Sequence, residues 1–384
     1  MDRGNPLLRT LDQGLGPWLL RVVALWRLLF ARGRRRPAAP RVIGVIKAAA
    51  LGDTILLSAV LSDLKAAWPE ARVILFAGST NAGLAREFAG IEVVELPLRR
   101  PWVAVSLLRN ARYDWMIDAD AWPRISALWA VLSGARWVIG FRTSGQRRHF
   151  AFDQFIDHDP SLHEIANYRN LLRAMDVRTG APPQNPRQWI GTELPADFSE
   201  MRARFPRVVA LHFWPGGTKS AMKEWPFDSW RSFMERVARD ARWMFVLSGA
   251  KADRPRIEEF LATLPTELRA RVYDGGGLNL NTSLAVLAAA DALVSVNTGI
   301  LHLGAAMGVP VLGLHGATNP RRWGPVGDKH ISVVSSHPAA GCLNLGFEYP
   351  AGDPPIMAGL SVDVVYAGWR NLVMKNSLDF RGEA

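Results

Sequence analysis

From residue 41 onward the chain alternates short apolar runs with longer amphipathic stretches. The runs at 41–47, 72–77, 92–96, 114–119 and 136–140 predict strands, and the stretches at 54–68, 81–89 and 122–132 predict helices between them. Strands and helices in this alternation imply a parallel sheet with helical crossovers. A proline-rich break at 181–186 interrupts the pattern, which then restarts. Strands at 207–213, 243–248, 271–274, 292–296 and 310–315 alternate with helices at 227–239, 254–264, 283–290 and 299–307, and a last helix is expected near 361–374. The fold class that follows is α/β, with two Rossmann-like domains facing a cleft at the carboxyl ends of their strands. The expected divisions are a basic amphipathic segment at 1–40, a first Rossmann-like domain at 41–190, and a second at 191–384 that keeps the last helix. A chain of 384 residues has length enough for two cores.

Residues 18–30 are apolar except for Arg21 and Arg27. The run falls short of the roughly 20 residues that span a bilayer. The basic cluster Arg32, Arg34, Arg35 and Arg36 follows the apolar run, whereas a secretory signal puts its charge first. Tryptophans, leucines and arginines in this order suit a helix lying in the plane of an anionic leaflet. A helix packed on the protein's own body or on a second subunit fits the pattern equally well.

Composition narrows the classes. With 49% hydrophobic residues the chain is not disordered. The single cysteine, Cys342, rules out an intramolecular disulfide or a cysteine metal cage and fits a reducing cytosol. The net charge of +11 is concentrated in two zones. Residues 1–36 hold eight arginines against Asp2 and Asp12, and residues 99–150 hold nine against Asp114, Asp118 and Asp120, so each zone is +6. Two local basic zones suggest two anionic partners, such as a membrane surface and a phosphorylated substrate. Nucleic acid gains no support, because zinc-finger spacing, RNA-binding signatures and a basic zipper are absent from the sequence.

The first strand runs into Ala50-Leu51-Gly52-Asp53 without Gly-x-Gly-x-x-Gly, which removes the main sign of a dinucleotide cofactor. Asp53 reads either as a plain helix cap or as a general base facing the cleft. In the second half, Gly216, Gly217, Thr218, Lys219 and Lys223 lie between a strand and a helix. They read as a phosphate-binding loop, with a solvated loop as the competing reading. Asn297, Thr298 and Gly299 open a helix directly after a strand, where unpaired N–H groups suit a diphosphate. His302, one turn on, is either structural or part of that site. Residues 313–320 would edge the same cleft. Asp118 and Asp120, two apart on an extended segment, are able in principle to share a divalent ion, but such pairs are common by chance and no metal is assigned. HExxH and Gly-x-Ser-x-Gly do not occur.

Residues 41–335 resemble the lipopolysaccharide heptosyltransferases of glycosyltransferase family 9, two-Rossmann-domain enzymes of the GT-B class. The resemblance rests on Ala50-Leu51-Gly52-Asp53, Lys223-Glu224-Trp225-Pro226, Val296-Asn297-Thr298-Gly299 with His302, and Gly313 through Pro320, in family order and at family spacing. It implies transfer of a heptose from ADP-heptose to a sugar of the lipopolysaccharide core, with inversion and with no cofactor or essential metal. By position Asp53 matches the general base, and Lys223 the lysine that neutralises the departing nucleotide. Thr218, Thr298 and Gly299 match diphosphate contacts, and Asp253 the acid that holds the ribose. Gly216, Gly217, Asn297 and His302 complete the expected donor site.

For the acceptor, Arg142, Arg147 and Arg148 are the expected anchors, because arginine pairs with phosphate and carboxylate. The expected location is cytoplasmic and peripheral on the inner membrane, with its anionic surface as a partner. The chain departs from the family by carrying asparagine at Asn297 and Asn319, where aspartate is usual. A non-catalytic nucleotide-sugar-binding module and a relative using another nucleotide sugar are the alternatives.

Overall fold

Two six-stranded parallel sheets organise the chain in the computed structural model, which describes residues 10, 12–30, 33–217, 219–346 and 348–378. The chain divides into two compact units, Met1–Gln184 and Asn185–Ala384. The division falls inside the proline-rich break, ahead of the expected 190/191 boundary.

Unit 1 contains β1 (Val42–Lys47), β2 (Arg72–Ala77), β3 (Glu92–Glu95), β4 (Trp115–Asp118), β5 (Trp137–Arg142) and β6 (Gln154–Asp157), in the order β3-β2-β1-β4-β5-β6. The sequence of β1, VIGVIK, is a near-continuous apolar run because the strand is covered on both faces. From β1 the chain steps outward through β2 and β3, then returns to place β4 on the other side of β1. That reversal makes the carboxyl ends of β1 and β4 a topological switch point, where open α/β sheets bind ligands. Fully buried Asn81 fixes the turn after β1. Its Nδ2 donates to Lys47 O at 3.0 Å and to Thr54 Oγ1 at 2.7 Å, and its Oδ1 accepts from Gly78 N at 2.9 Å.

Unit 2 repeats the plan with β7 (Arg207–His212), β8 (Trp243–Gly249), β9 (Val272–Gly276), β10 (Ala292–Val296), β11 (Val311–His315) and β12 (Ile331–Val334), ordered β12-β11-β10-β7-β8-β9. Its switch point lies between β7 and β10. The core is aromatic: Phe213 stacks on Trp230 at 4.0 Å, and the indole of buried Trp225 donates to Leu360 O at 2.7 Å. The last helix, Val362–Lys375, belongs to this unit and sets Trp369 edge-on against Phe233 and Trp243. Truncating a buried tryptophan in such a core costs about 3–5 kcal/mol.

The helix Gly16–Phe30 packs on unit 1 through one side. Leu20 is fully buried, Arg27 Nη1 donates to Ala151 O at 3.1 Å, and Arg27 pairs with Asp153. Packing on the protein's own body is therefore realised, although the opposite side of the helix stays exposed. Part of the basic cluster also folds back on unit 1. Arg34 turns back to Ala135 O and Asp153, and Arg36 to Asp176. Arg32 lies outside the described residues. Among the described residues no helix is long and apolar enough to cross a membrane.

Candidate active site

In unit 1 the switch point carries a buried charge cluster. β1 ends at Lys47, whose Nζ donates to Asp120 Oδ1 at 2.9 Å and lies 3.4 Å from Asp53 Oδ2. Asp120 also accepts from Ala48 N at 3.0 Å, and Lys47 sits 5.6 Å above the Tyr168 ring. All three charged side chains are buried, and an ion pair persists in such a place only when hydrogen bonds offset desolvation. Asp53 occupies the first turn of the helix Leu51–Ala67, but the cap position belongs to Ala50. Asp53 is therefore not the cap residue itself, and its carboxylate stands at the carboxyl edge of the sheet beside a cation.

Asp118 and Asp120 do not share a site. Asp118 accepts from Asp120 N at 3.1 Å and from Ser126 Oγ at 3.1 Å, and it pairs with Arg148, both side chains being wholly buried. Burial pushes the Asp118 carboxyl up to about 6, against the pull of Arg148. Asp120 instead faces Lys47. Among the described residues no cluster of three or more His, Cys, Asp or Glu is placed to hold a metal ion.

This arrangement corrects one acceptor residue. Arg148 has no surface to offer a ligand, because its guanidinium donates to Pro123 O at 2.9 Å and is committed to Asp118. Arg142, at the carboxyl end of β5, is exposed and makes a two-pronged pair with Asp157 at 2.5 Å. Arg147 is exposed, with a left-handed backbone at φ 58°.

In unit 2 the candidate donor residues line up along one sheet edge. Asp253 follows β8, the loop from Gly216 to Lys223 follows β7, and Asn297 and Thr298 follow β10. The β7 and β10 groups flank the switch point. Gly217 has φ +91°, a conformation that glycine adopts without strain, and Lys223 Nζ donates to Gly216 O at 2.9 Å across the loop. Lys219 turns away to Asp353 at 2.5 Å, so the loop's two lysines have different roles. Thr218 lies outside the described residues. Asp253 is half-buried and accepts from Ala250 N at 2.7 Å.

Thr298 is the cap residue of the helix Gly299–Ala306, and its side chain makes no capping hydrogen bond. The first N–H groups of that helix and the positive end of its dipole are thus not satisfied by the cap. Asn297 Nδ2 donates to Trp323 O at 2.7 Å, a bond that aspartate cannot make. Asn319 caps the helix Pro320–Trp323 by accepting from Arg321 N at 2.9 Å, a task aspartate would do as well.

His302 lies on the buried side of the helix Gly299–Ala306, near His315. Burial, with His302 nearby, lowers the His315 ring to about 3, and burial lowers His212 to about 4. Sequence reasoning missed Lys47 as the shared partner of Asp53 and Asp120. The available signal was a lysine closing an otherwise apolar strand.

Residues 104–346 match the model of glycosyltransferase family 9 (heptosyltransferase). Lipopolysaccharide heptosyltransferase 1 of Pseudomonas aeruginosa is 38% identical over 139 residues, which is 36% of this chain and 36% of that protein. The chain thus aligns with about a third of the length of that relative. A lipopolysaccharide core heptosyltransferase of Haemophilus influenzae is 23% identical over 312 residues, covering 78% of this chain and 86% of that protein. The structure of Escherichia coli ADP-heptose lipopolysaccharide heptosyltransferase II superposes with a TM-score of 0.65 at 20% identity, covering 87% of this chain and 99% of that one. With the family model matching more than half of its length, the chain belongs to glycosyltransferase family 9, the heptosyltransferases.

Proposed function

We propose that the protein is an inverting glycosyltransferase that moves a heptose from ADP-heptose to a lipopolysaccharide-core acceptor. In this reading unit 1 takes the acceptor and unit 2 the nucleotide sugar, on the cytoplasmic face of the inner membrane. Asp53 takes the proton of the acceptor hydroxyl as its oxygen attacks the anomeric carbon. The bond to the diphosphate oxygen breaks on the opposite side, the anomeric centre inverts, and the electron pair leaves with ADP. Charge then grows on the diphosphate, where Lys223, the loop at Gly216, Gly217 and Thr218, and the helix start at Thr298 and Gly299 stabilise it. Asp253 holds the ribose, and exposed Arg142 and Arg147 receive anionic groups of the acceptor. His302 supports the donor side from within its helix.

The observation that carries the reading is the Asp53 carboxylate, held beside buried Lys47 at the unit 1 switch point. Relatives named for lipopolysaccharide heptose transfer support the acceptor class, and the Escherichia coli structure named for ADP-heptose supports the donor. Both asparagines have partners within the fold, Asn297 at Trp323 O and Asn319 at Arg321 N. Incubation with ADP-, UDP- and GDP-sugars and core-lipid acceptors, read by product mass, tests the reading. A product from ADP-heptose alone is expected. A product only from a UDP- or GDP-sugar contradicts the donor, and nucleotide binding without any product favours the module.

A further inference from the structure

The helix Gly16–Phe30 has two unlike sides. One is bolted to unit 1, where Leu20 is buried, Gly16 packs against the Arg124 side chain, and Arg27 pairs with Asp153. Just upstream, buried Asp12 accepts from Arg124 N at 2.8 Å and Ile125 N at 3.0 Å, which ties the segment to the helix Arg124–Leu132. The other side presents Trp18, Leu19, Val22, Leu25, Trp26 and Leu29, each between 48% and 66% exposed. Their spacing of three and four makes one continuous stripe. Single exposed apolar residues need no explanation, but a stripe of six large ones on a docked helix does.

Charge selects the occupant. The helix contains no acidic residue; exposed Arg21 holds its guanidinium 4.7 Å from the Trp18 ring, and exposed Arg35 follows the helix. A second helix, Pro101–Leu108, packs like the first against Arg124–Leu132. It exposes Trp102 to 71% and is preceded by exposed Arg99 and Arg100. A symmetric pairing of two copies through the first helix would bring like-charged basic surfaces together, whereas an anionic leaflet neutralises them. Tryptophans with neighbouring arginines match the headgroup boundary, and 15 residues interrupted by Arg21 and Arg27 lie in a bilayer's plane rather than across it.

We propose that the Trp18–Leu29 stripe is an in-plane anchor that seats unit 1 in the interfacial layer of an anionic membrane. It deepens the membrane location proposed above, but it does not depend on which sugar is transferred. The test is sedimentation of the full chain with phosphatidylcholine vesicles, with and without phosphatidylglycerol, over a range of salt. Binding should require phosphatidylglycerol and weaken with salt. The triple substitution Trp18→Ser, Val22→Ser, Leu29→Ser should lower vesicle affinity by about tenfold or more while leaving the melting temperature unchanged, since the stripe is not part of the core. Arg27→Gln, on the docked side, should instead lower the melting temperature.

Equal vesicle binding by the triple variant overturns the proposal, as does binding that ignores phosphatidylglycerol. A dimer that fails to bind vesicles and becomes monomeric in the triple variant assigns the stripe to a second copy and also overturns it. No turnover is measured, so failure here leaves the transfer reading standing.

Discussion

Lys47 Nζ lies 3.4 Å from Asp53 Oδ2 and 2.9 Å from Asp120 Oδ1, so one buried ammonium serves two carboxylates at the unit 1 switch point. A cation at that distance favours the charged carboxylate, the form a general base needs. Lys47→Met should lower turnover and shift the acid limb of the rate profile toward higher pH, since the lost cation leaves Asp53 easier to protonate. Lys47→Arg should restore part of both. A profile whose acid limb does not move in Lys47→Met contradicts the pairing, whatever happens to stability.

On the nucleotide side, Lys223→Ala should weaken ADP binding by roughly tenfold or more, the scale of one hydrogen bond to a charged group. Turnover should fall further, because charge on the diphosphate grows toward the transition state. Titration calorimetry separates the two effects. Unchanged ADP affinity would mean that Lys223 only braces the loop through Gly216 O.

Two neighbouring arginines should behave oppositely. Arg148→Met strands the buried Asp118 carboxylate and should cost about 3–5 kcal/mol of stability. Arg147→Ala should leave unfolding unchanged and raise the acceptor KM. Urea unfolding together with acceptor kinetics distinguishes them. An Arg148→Met protein of undiminished stability contradicts the buried pair.

Much of the sheet framework was legible in the sequence because the inner strands are covered on both faces. The expected run at 72–77 is β2, and that at 292–296 is β10. The edge strands β6 and β12 escaped notice. They are short and half-exposed, so they carry no unbroken apolar run. The helix Pro101–Leu108 was hidden by its opening proline, which reads as a break although it fits the first turn. The helix Leu51–Ala67 begins before the expected residue 54, because Ala50 offers no polar cap to announce it.

At the site, Asp53 and Lys223 were visible as motif residues. The fate of Arg148 was not. Its partner Asp118 is thirty positions away, and only the pairing of β4 with β5 brings their surroundings together. Arginine is ordinarily exposed, so no local signal marks one that is fully buried.

Acid should loosen unit 2. Burial holds the His315 and His212 rings neutral, lowered to about 3 and about 4, whereas the unfolded chain protonates them near 6.5. The folded state thus gains its full advantage above 6.5 and loses it as the pH falls toward those lower values. Between pH 6.5 and 5 each ring should surrender about 2 kcal/mol. Urea unfolding of His315→Gln should show a smaller drop from pH 7 to pH 5 than the unsubstituted protein. An identical drop would remove His315 from the acid response.

As the proposed base of a heptosyl transfer, Asp53 should be needed for turnover but not for nucleotide binding. The most direct measurement follows ADP release and acceptor mass with ADP-heptose and a core-lipid acceptor, in the unsubstituted protein and in Asp53→Asn. The unsubstituted protein should release one ADP for each acceptor that gains the mass of one heptose. Asp53→Asn should bind ADP normally and transfer at a rate lower by about 10²-fold or more. An Asp53→Asn protein that transfers heptose at the full rate, or an unsubstituted protein that never adds one, would contradict that role.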